Sequence, residues 1–317
     1  GAVAYLQIYF LGMPALSLYN FGNAVFSAGG NTKKPLLYLT IAGILNVILN
    51  LFFVIVLKID VRGVAAASAI SQYVSAFLIV KDLFRSYELY RLRWSEMRLA
   101  TQKAKRILQI GIPSAFQYMI YSVANLFVQS GVNSFSATVV AGNSAAMNAD
   151  NLVYDIMAAF YTVCGTFMGQ NLGARNKDRV IKSYLISLLY STLIAVIAGL
   201  FLVIFGHQFL GLFANEKDVI AAGMDRLVIM GLCYWLSAPM DCTTAATRAL
   251  GKTVIPTIIM ILGSCVFRIV WIYTVFSAFG TTTSIYLLYG VSWLITGIPE
   301  VLYFVYIYRR TVRDLNL

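Results

Sequence analysis

The chain has 317 residues, 60% of them hydrophobic and 12% charged. A water-soluble domain of this length needs about 25% charged residues to cover its surface, which excludes an aqueous fold. The net charge of +11 does not indicate nucleic acid: no basic stripe is interleaved with aromatics, and Lys and Arg accumulate on the cytoplasmic loops of membrane proteins.

A bilayer core of about 30 Å takes roughly 20 apolar residues as a helix. Charge-free runs of about that length recur along the chain, at Gly1–Thr32, Pro35–Leu57, Gly63–Val80, Ile107–Ala149, Ser183–Gly206 and Ile269–Pro299. They predict an all-α polytopic membrane protein with nine spans, over about 3–28, 35–57, 63–81, 107–131, 139–170, 182–206, 222–248, 253–277 and 284–308. The breaks carry turn chemistry, as at Gly29-Gly30-Asn31, Lys58–Arg62, Gly173–Asp178, Gly251-Lys252 and Gly280–Ser284. The chain is span-like from Gly1, with no n-region before it. No signal peptide is expected, and the start reads as a truncation inside or just before a helix. Cys164, Cys233, Cys242 and Cys265 lie in apolar segments without a C-x-x-C pair, so they read as packing residues rather than zinc ligands or disulfides.

Nine spans alternate sides, so loop charges can be sorted. One side takes nineteen basic residues; the other takes Lys58, Arg62, Lys217 and Arg226, and Arg268 alone falls within a span. The basic side is expected to be cytoplasmic, which places the C-terminus inside and Gly1 near the outer face. The segment from Lys81 to Arg106 carries eight basic residues. It reads either as a helix lying near anionic headgroups or as a solvated connector. The expected division is therefore 1–84, a linker over 85–106, and 107–317.

A shift of 221 residues aligns the two parts. Between Tyr5 and Pro35, eight of 31 positions are identical, including Gly30/Gly251, Thr32/Thr253 and Pro35/Pro256; Ser71/Ser292 follow at the same offset. The first three spans thus match the last three in the same orientation, as in a parallel repeat about the membrane normal. The second copy has three further spans, over about 107–206, without a counterpart. A whole protein of six plus six helices is expected, with a site between the halves suited to alternating access.

Several segments resemble the multidrug and toxic compound extrusion (MATE) family. Gly169-Gln170-Asn171-Leu172-Gly173-Ala174, followed by Asp178-Arg179-Val180, resembles the Q-N-x-G-A signature after the family's eighth helix. Gly30-Asn31-Thr32-Lys33-Lys34-Pro35 is similar to the G-N-T-x-x-P after the fourth, Ile110–Ser114 to the start of the seventh, and Asn46–Asn50 to the fifth. The resemblance covers essentially the whole chain. It implies a MATE-like two-lobe helix bundle with about nine of twelve transmembrane helices present, numbers four to twelve. It implies a monomeric, lipid-embedded antiporter of the bacterial plasma membrane, exporting amphipathic, cationic compounds against inward Na⁺ or H⁺. Neither ATP nor a cofactor is expected, and no Walker A loop is present.

Charges within spans are costly and therefore candidates for function: Asp150, Asp155, Asp241, Glu300 and Arg268. Asp241 and Glu300 each stand about eight residues, or about 12 Å, from the inner ends of their helices, at depths suited to one cavity. Some family members bind a cation through an acid in the tenth helix. Asp241 lies near that position, displaced by about two residues, which makes a Na⁺ site beside it a possibility. Arg268, about 22 Å from the inner end, needs a carboxylate or carbonyls; it reads as a static ion pair or as a switch linked to substrate or ion.

Gln117, Tyr121, Asn125, Gln129 and Asn133 recur every four residues on one helical face, lining a helix contact or a water-filled cavity. The family's Na⁺-coupled branch has an acid near the neutral Gln117. On the next span Asn148, Asn151 and Asp155 share a face, while Asp150 points elsewhere with Tyr154; Asp150 and Asn151 read as cavity-lining or as a polar helix contact. Asn46 and Asn50 are i, i+4 neighbours. Proton-coupled relatives carry Asn then Asp there, with a Thr on the following helix where this chain has Ser68. His207 reads as a polar cap. Two other functions compete. A lipid-linked sugar or peptidoglycan-precursor flippase of the same superfamily would line its cavity with several basic residues, whereas this sequence shows one intramembrane Arg and several acids. A membrane-embedded enzyme is opposed by the absence of H-E-x-x-H and G-x-S-x-G motifs.

Overall fold

The computed structural model describes residues 2–86 and 90–314. Among them are nine long helices and no strand: α1 (Ala2–Ala28), α2 (Lys33–Val56), α3 (Val61–Arg85), α4 (Thr101–Val132), α5 (Ala137–Gly173), α6 (Lys177–Leu210), α7 (Lys217–Ala249), α8 (Val254–Phe279) and α9 (Thr282–Asp314). Each predicted span falls on one helix, and the helices run past the apolar runs at most ends. Eight of the nine are long and apolar enough to cross a membrane. The other is α4, which opens on Thr101-Gln102-Lys103 and carries the polar stripe from Gln117. Apolar side chains face outward along the helices, as with Leu36, Ile44, Val47 and Ile55 on α2. Such surfaces require lipid as solvent.

Contacts divide the chain into two units, one ending at Ala100 and the other starting at Thr101. In the first, α1 lies along α3 around Ala15, Tyr19, Phe26, Ala76, Ile79 and Leu83. The Tyr19 hydroxyl donates to the Pro35 carbonyl at 2.8 Å, tying α1 to the start of α2. The segment after α3 is not the continuous helix considered above. Ser86 is extended, with φ −60° and ψ 145°. Leu92 N donates to Leu83 O at 3.0 Å, and Tyr90 and Leu92 fold back onto the α1–α3 core. Apolar residues two apart suit an extended segment. One 3₁₀ turn, Trp94–Glu96, follows before α4.

In the second unit α5, α6, α7 and α9 enclose a core that includes Met157, Leu202, Leu227, Met230 and Tyr234. Glycines bring the backbones together: a Cβ on Gly142 of α5 would come within 2.6 Å of Gly223 N on α7, and one on Gly199 of α6 would collide with the Gly231 carbonyl. Close backbone approach of this kind is how helices associate in lipid.

The repeat extends to the backbone. Helices end at Ala28 and Ala249, begin at Lys33 and Val254, and begin again at Val61 and Thr282, each pair 221 residues apart. Gly30 and Gly251 are both left-handed, with φ +82° and +78°. The bonds Gly30 N to Ser27 O (3.0 Å) and Asn31 N to Phe26 O (2.9 Å) match Gly251 N to Arg248 O (2.8 Å) and Lys252 N to Thr247 O (3.2 Å). This is Schellman closure of a helix, which needs φ > 0 after the last turn. Wide π turns at Phe52–Val56 and Ile272–Phe276 also match to within one residue. A further one, Ile261–Val266, precedes Arg268 and has no counterpart in the first copy.

Candidate functional site: a polar cavity in the second unit

A cavity of about 420 Å³ opens in the second unit between α4, α5, α7 and α9, within the range of ligand sites. The four-residue stripe of α4 supplies Gln117, Tyr121, Asn125 and Gln129 to its wall; Asn133, farther along, is exposed and pairs with Gln129 at 2.8 Å. From α5 come Asp150, Asn151 and Tyr154, while Asp155 is exposed outside the wall. On α7 the steps Met230, Tyr234, Ser237, Asp241, Thr244 and Arg248 keep one face on the cavity, as a 3.6-residue period requires. Tyr289 and Trp293 of α9 close it.

Asp150 is paired. Arg226 donates through Nε at 2.9 Å and through Nη2 to one of its oxygens, and the Tyr234 hydroxyl donates to the other. Arg226 Nη1 also donates to Asn143 Oδ1 at 2.7 Å. This corrects the expectation that Arg226 belongs with the outer-loop charges. It lies nine residues after Lys217, the first residue of α7, and is 4% exposed. The basic residue count placed it with the outer loop although it stands four residues inside the predicted span 222–248. Its i, i+4, i+8 spacing with Met230 and Tyr234 was the available signal.

Arg268 is fully buried, as a mid-span cation must be, but no carboxylate lies within ion-pair distance among the described residues. The ion-pair reading is therefore corrected. Its Nε donates to Ser292 Oγ at 3.2 Å and its Nη1 to Asn125 Oδ1 at 3.1 Å, and the rings of Tyr121 and Tyr289 each lie 4.7 Å away. Arg226 in turn lies 5.5 Å from Tyr286 and 5.3 Å from Tyr289. The order Tyr286, Arg226, Tyr289, Arg268, Tyr121 alternates rings and guanidiniums across α9, α7, α8 and α4. Cation–π attraction is strongest where the cation is desolvated, and that attraction replaces the missing carboxylate.

Arg248, counted among loop charges in the sequence, turns into the wall and donates to Gln117 Oε1 at 2.6 Å. Asp241 lines the cavity, and its Oδ2 is buried without a hydrogen-bond partner. Glu300 is fully buried with both oxygens unpartnered, yet lies outside the wall. The expected sharing of one cavity by the two acids is thus corrected. Thr244 Oγ1 donates to the Met240 carbonyl at 2.8 Å rather than to Glu300. A Cβ on Gly263 would meet Thr296 Oγ1 at 2.5 Å, so α9 packs directly on α8 one turn before Glu300, whose polar neighbours Thr244, Arg248 and Asp241 are on α7. No group of three His, Cys, Asp or Glu side chains able to hold a metal occurs among the described residues.

In the first unit Asn50 Nδ2 donates to Asn46 Oδ1 at 3.0 Å, and Asn46 Nδ2 to Ser68 Oγ at 3.4 Å, joining α2 to α3. The Gly169–Ala174 motif builds the α5–α6 turn. Ala174 N donates to Gln170 O (3.0 Å), Asn176 N to Asn171 O (2.9 Å) and Asn171 Nδ2 to Phe167 O (2.8 Å), while Arg175 takes φ 54°. Gly169, Gln170, Asn171, Gly173 and Ala174 thus form a connector and do not touch the cavity.

The family model MatE matches residues 113–274, just over half of the chain. The probable multidrug resistance protein YpnP of Bacillus subtilis is 27% identical over 310 residues, covering 96% of this chain and 68% of its own length. The probable multidrug resistance protein NorM of Thermotoga maritima is 23% identical over 262 residues, covering 81% and 56%. The crystal structure of MATE in complex with MaL6 superposes with a TM-score of 0.91 over 98% of this chain and 71% of that one, at 19% identity. The chain therefore spans between about half and two thirds of the length of these two relatives, and it has the fold of the solved structure.

Proposed function

The chain belongs to the MatE family of multi-pass membrane transporters, and on that premise we propose that it is a secondary active antiporter. It exports amphipathic, cationic compounds in exchange for Na⁺ or H⁺, by alternating access across the bacterial plasma membrane, with its C-terminus in the cytoplasm. Residues 1–84 supply the last three helices of a first lobe, 85–106 a basic linker, and 107–317 a six-helix second lobe. The observation that carries this reading is Asp241, with its Oδ2 buried and without a hydrogen-bond partner, in a wall of tyrosine, tryptophan and methionine. Rings of the cargo stack on Tyr154 and Trp293, whose faces are not taken by Arg226 or Arg268 and attract its positive charge. That charge and the coupling ion compete for Asp241. Such competition is a negative coupling between two ligands, which antiport needs. Gln117 and Asn125 are held by Arg248 and Arg268, so α4 presents a fixed polar face. Asn46, Asn50 and Ser68 form a separate polar contact and take the coupling ion only as an alternative to Asp241.

The test is a binding competition on purified protein. A fluorescent cation should bind, be displaced by Na⁺ or by acid, and lose most of its affinity in Asp241→Asn; displacement unaltered by that substitution would remove Asp241 from the role. A second reading has its own support, because Arg226 and Arg248 stand in the wall and Arg268 directly behind it. The several guanidiniums expected of a flippase for pyrophosphate-bearing lipids are thus present, where the sequence indicated one. A rhodamine ester and its carboxylate parent, matched in ring system, separate the readings: tighter binding of the ester supports cationic cargo, and tighter binding of the acid supports the flippase.

A further inference from the structure

Away from this cavity, the first unit has a groove of about 570 Å³ between α1 and α3. Its walls are apolar, from Pro14 and Leu18 on one side and Phe77 and Phe84 on the other, and Lys81 and Arg85 stand at one end. We propose that this groove is a binding site for one anionic glycerophospholipid, with an acyl chain along the walls and its phosphate on Lys81 and Arg85.

Length, charge and position support the assignment. From Tyr73 to Arg85 the groove follows twelve residues of α3, about 18 Å, against about 15 Å for one leaflet of the hydrocarbon core. The cations are available: no described carboxylate pairs with Lys81 or Arg85, and Asp82 between them is taken by Lys34 at 2.8 Å. The Lys81 ammonium lies 5.8 Å from the centre of the Phe77 ring, held over the groove. The cationic end is rigid as well as charged. Trp94 stacks on Phe84 at 4.8 Å, and Arg91 Nε donates to the Phe84 carbonyl at 3.2 Å, bringing a third cation to the rim.

The internal repeat supplies a control. Adding 221 to Pro14, Tyr73, Phe77 and Phe84 gives Trp235, Leu294, Ile298 and Val305. All four are exposed in the second unit, although α4, α5 and α6 are present there. On α7, Trp235 lies outside the face that carries Tyr234, Ser237 and Asp241 to the cavity. This side of the repeat therefore faces away from the cavity and stays uncovered within a six-helix lobe, as a lipid-facing surface would. The positions equivalent to Lys81 and Arg85 are Leu302 and Tyr306. At these two positions the second copy carries no cation; its own cations on this side, Arg309, Arg310 and Arg313, stand beyond Tyr306 toward the end of α9, so the placing of charge within the groove is a feature of the first copy.

Native mass spectrometry of the protein in detergent, with dipalmitoyl phosphatidylglycerol and phosphatidylcholine added in equal amounts, tests the site. One phosphatidylglycerol should be retained in preference to phosphatidylcholine, and millimolar glycerol phosphate should not displace it. Replacing the cations by their counterparts, in K81L/R85Y, should weaken retention roughly thirty-fold, about a factor of five for each basic residue. K81R/R85K, which keeps both charges, should retain the lipid. Both positions are exposed, so thermal unfolding without lipid should be unchanged and loss of binding separable from misfolding. Equal retention of the two lipids, displacement by glycerol phosphate alone, or undiminished binding in K81L/R85Y would overturn the proposal.

Discussion

Removing Asp150 should expose how much the buried ion pair contributes to the second unit. Asp150→Ala deletes two charge-assisted bonds from Arg226 and one from Tyr234. It leaves the guanidinium with Asn143 and the faces of Tyr286 and Tyr289. Three bonds to the ionised carboxylate at about 1.5–3 kcal/mol each give a gross loss of roughly 4.5–9 kcal/mol. Breaking a buried pair by deleting one partner costs about 3–5 kcal/mol net, and the lower figure is expected because Arg226 keeps Asn143 and two ring faces. The Arg226 side chain is 5% and the Asp150 side chain 14% exposed, so the pair is largely desolvated, and water entering from the cavity would replace only part of the lost acceptor. Asp150→Ala should therefore lose about 3–5 kcal/mol in equilibrium unfolding from mixed micelles on titration with dodecyl sulfate. The double variant Asp150→Ala, Arg226→Met should recover most of that loss, because no orphaned charge remains. A loss below about 1 kcal/mol, or a double variant no more stable than the single one, would refute the claim that this pair is desolvated and mutually dependent.

Other substitutions address the remaining contacts. Tyr289→Leu removes the ring shared by Arg226 and Arg268 and should cost about 1–4 kcal/mol in the same titration, from two desolvated cation–π contacts, whereas Tyr289→Phe should cost little. Gly199→Val drives a side chain into the Gly231 carbonyl; it should cost at least about 1–3 kcal/mol and lower the yield of folded protein on size exclusion. Ser292→Ala removes the acceptor of Arg268 Nε and should cost about 1.5–3 kcal/mol, while Ser71→Ala at the equivalent first-copy position, which receives no guanidinium, should cost less.

Most of the fold was legible because lipid imposes one simple rule. Each backbone polar group must be satisfied within its helix, so charge-free runs become helices and Gly-rich breaks become turns. The shared G-x-T-x-x-P marks the same helix closure twice, and the Gly30 and Gly251 torsions give its physical reason. The stripe from Gln117 to Gln129 was readable from spacing alone. The charge pairing was not. Arg248 lies at the end of α7, where a basic residue counts as loop, yet a long side chain can turn back toward the interior; Arg226 stands more than two turns inside the same helix. Which acid meets which base depends on the neighbouring helix: Asp150 finds Arg226 across α5 and α7, while Arg268 settles for Asn125, Ser292 and two rings. Spacing along α9 alone does not reveal that Glu300 is fully buried outside the cavity wall. For the segment after Arg85 the composition left a helix and a connector both open, and among its described residues the fold-back of Tyr90 and Leu92 onto α1 and α3 favours the connector.

Transport by the full-length protein in proteoliposomes tests the central proposal most directly. With no ATP on either side, an imposed gradient of Na⁺ or H⁺ should drive a fluorescent amphipathic cation in the opposite direction. Collapsing the gradient should stop it, and Asp241→Asn should abolish the dependence on that ion. Movement of the dye at an equal rate with the gradient collapsed, or only when ATP is supplied, would contradict the proposal.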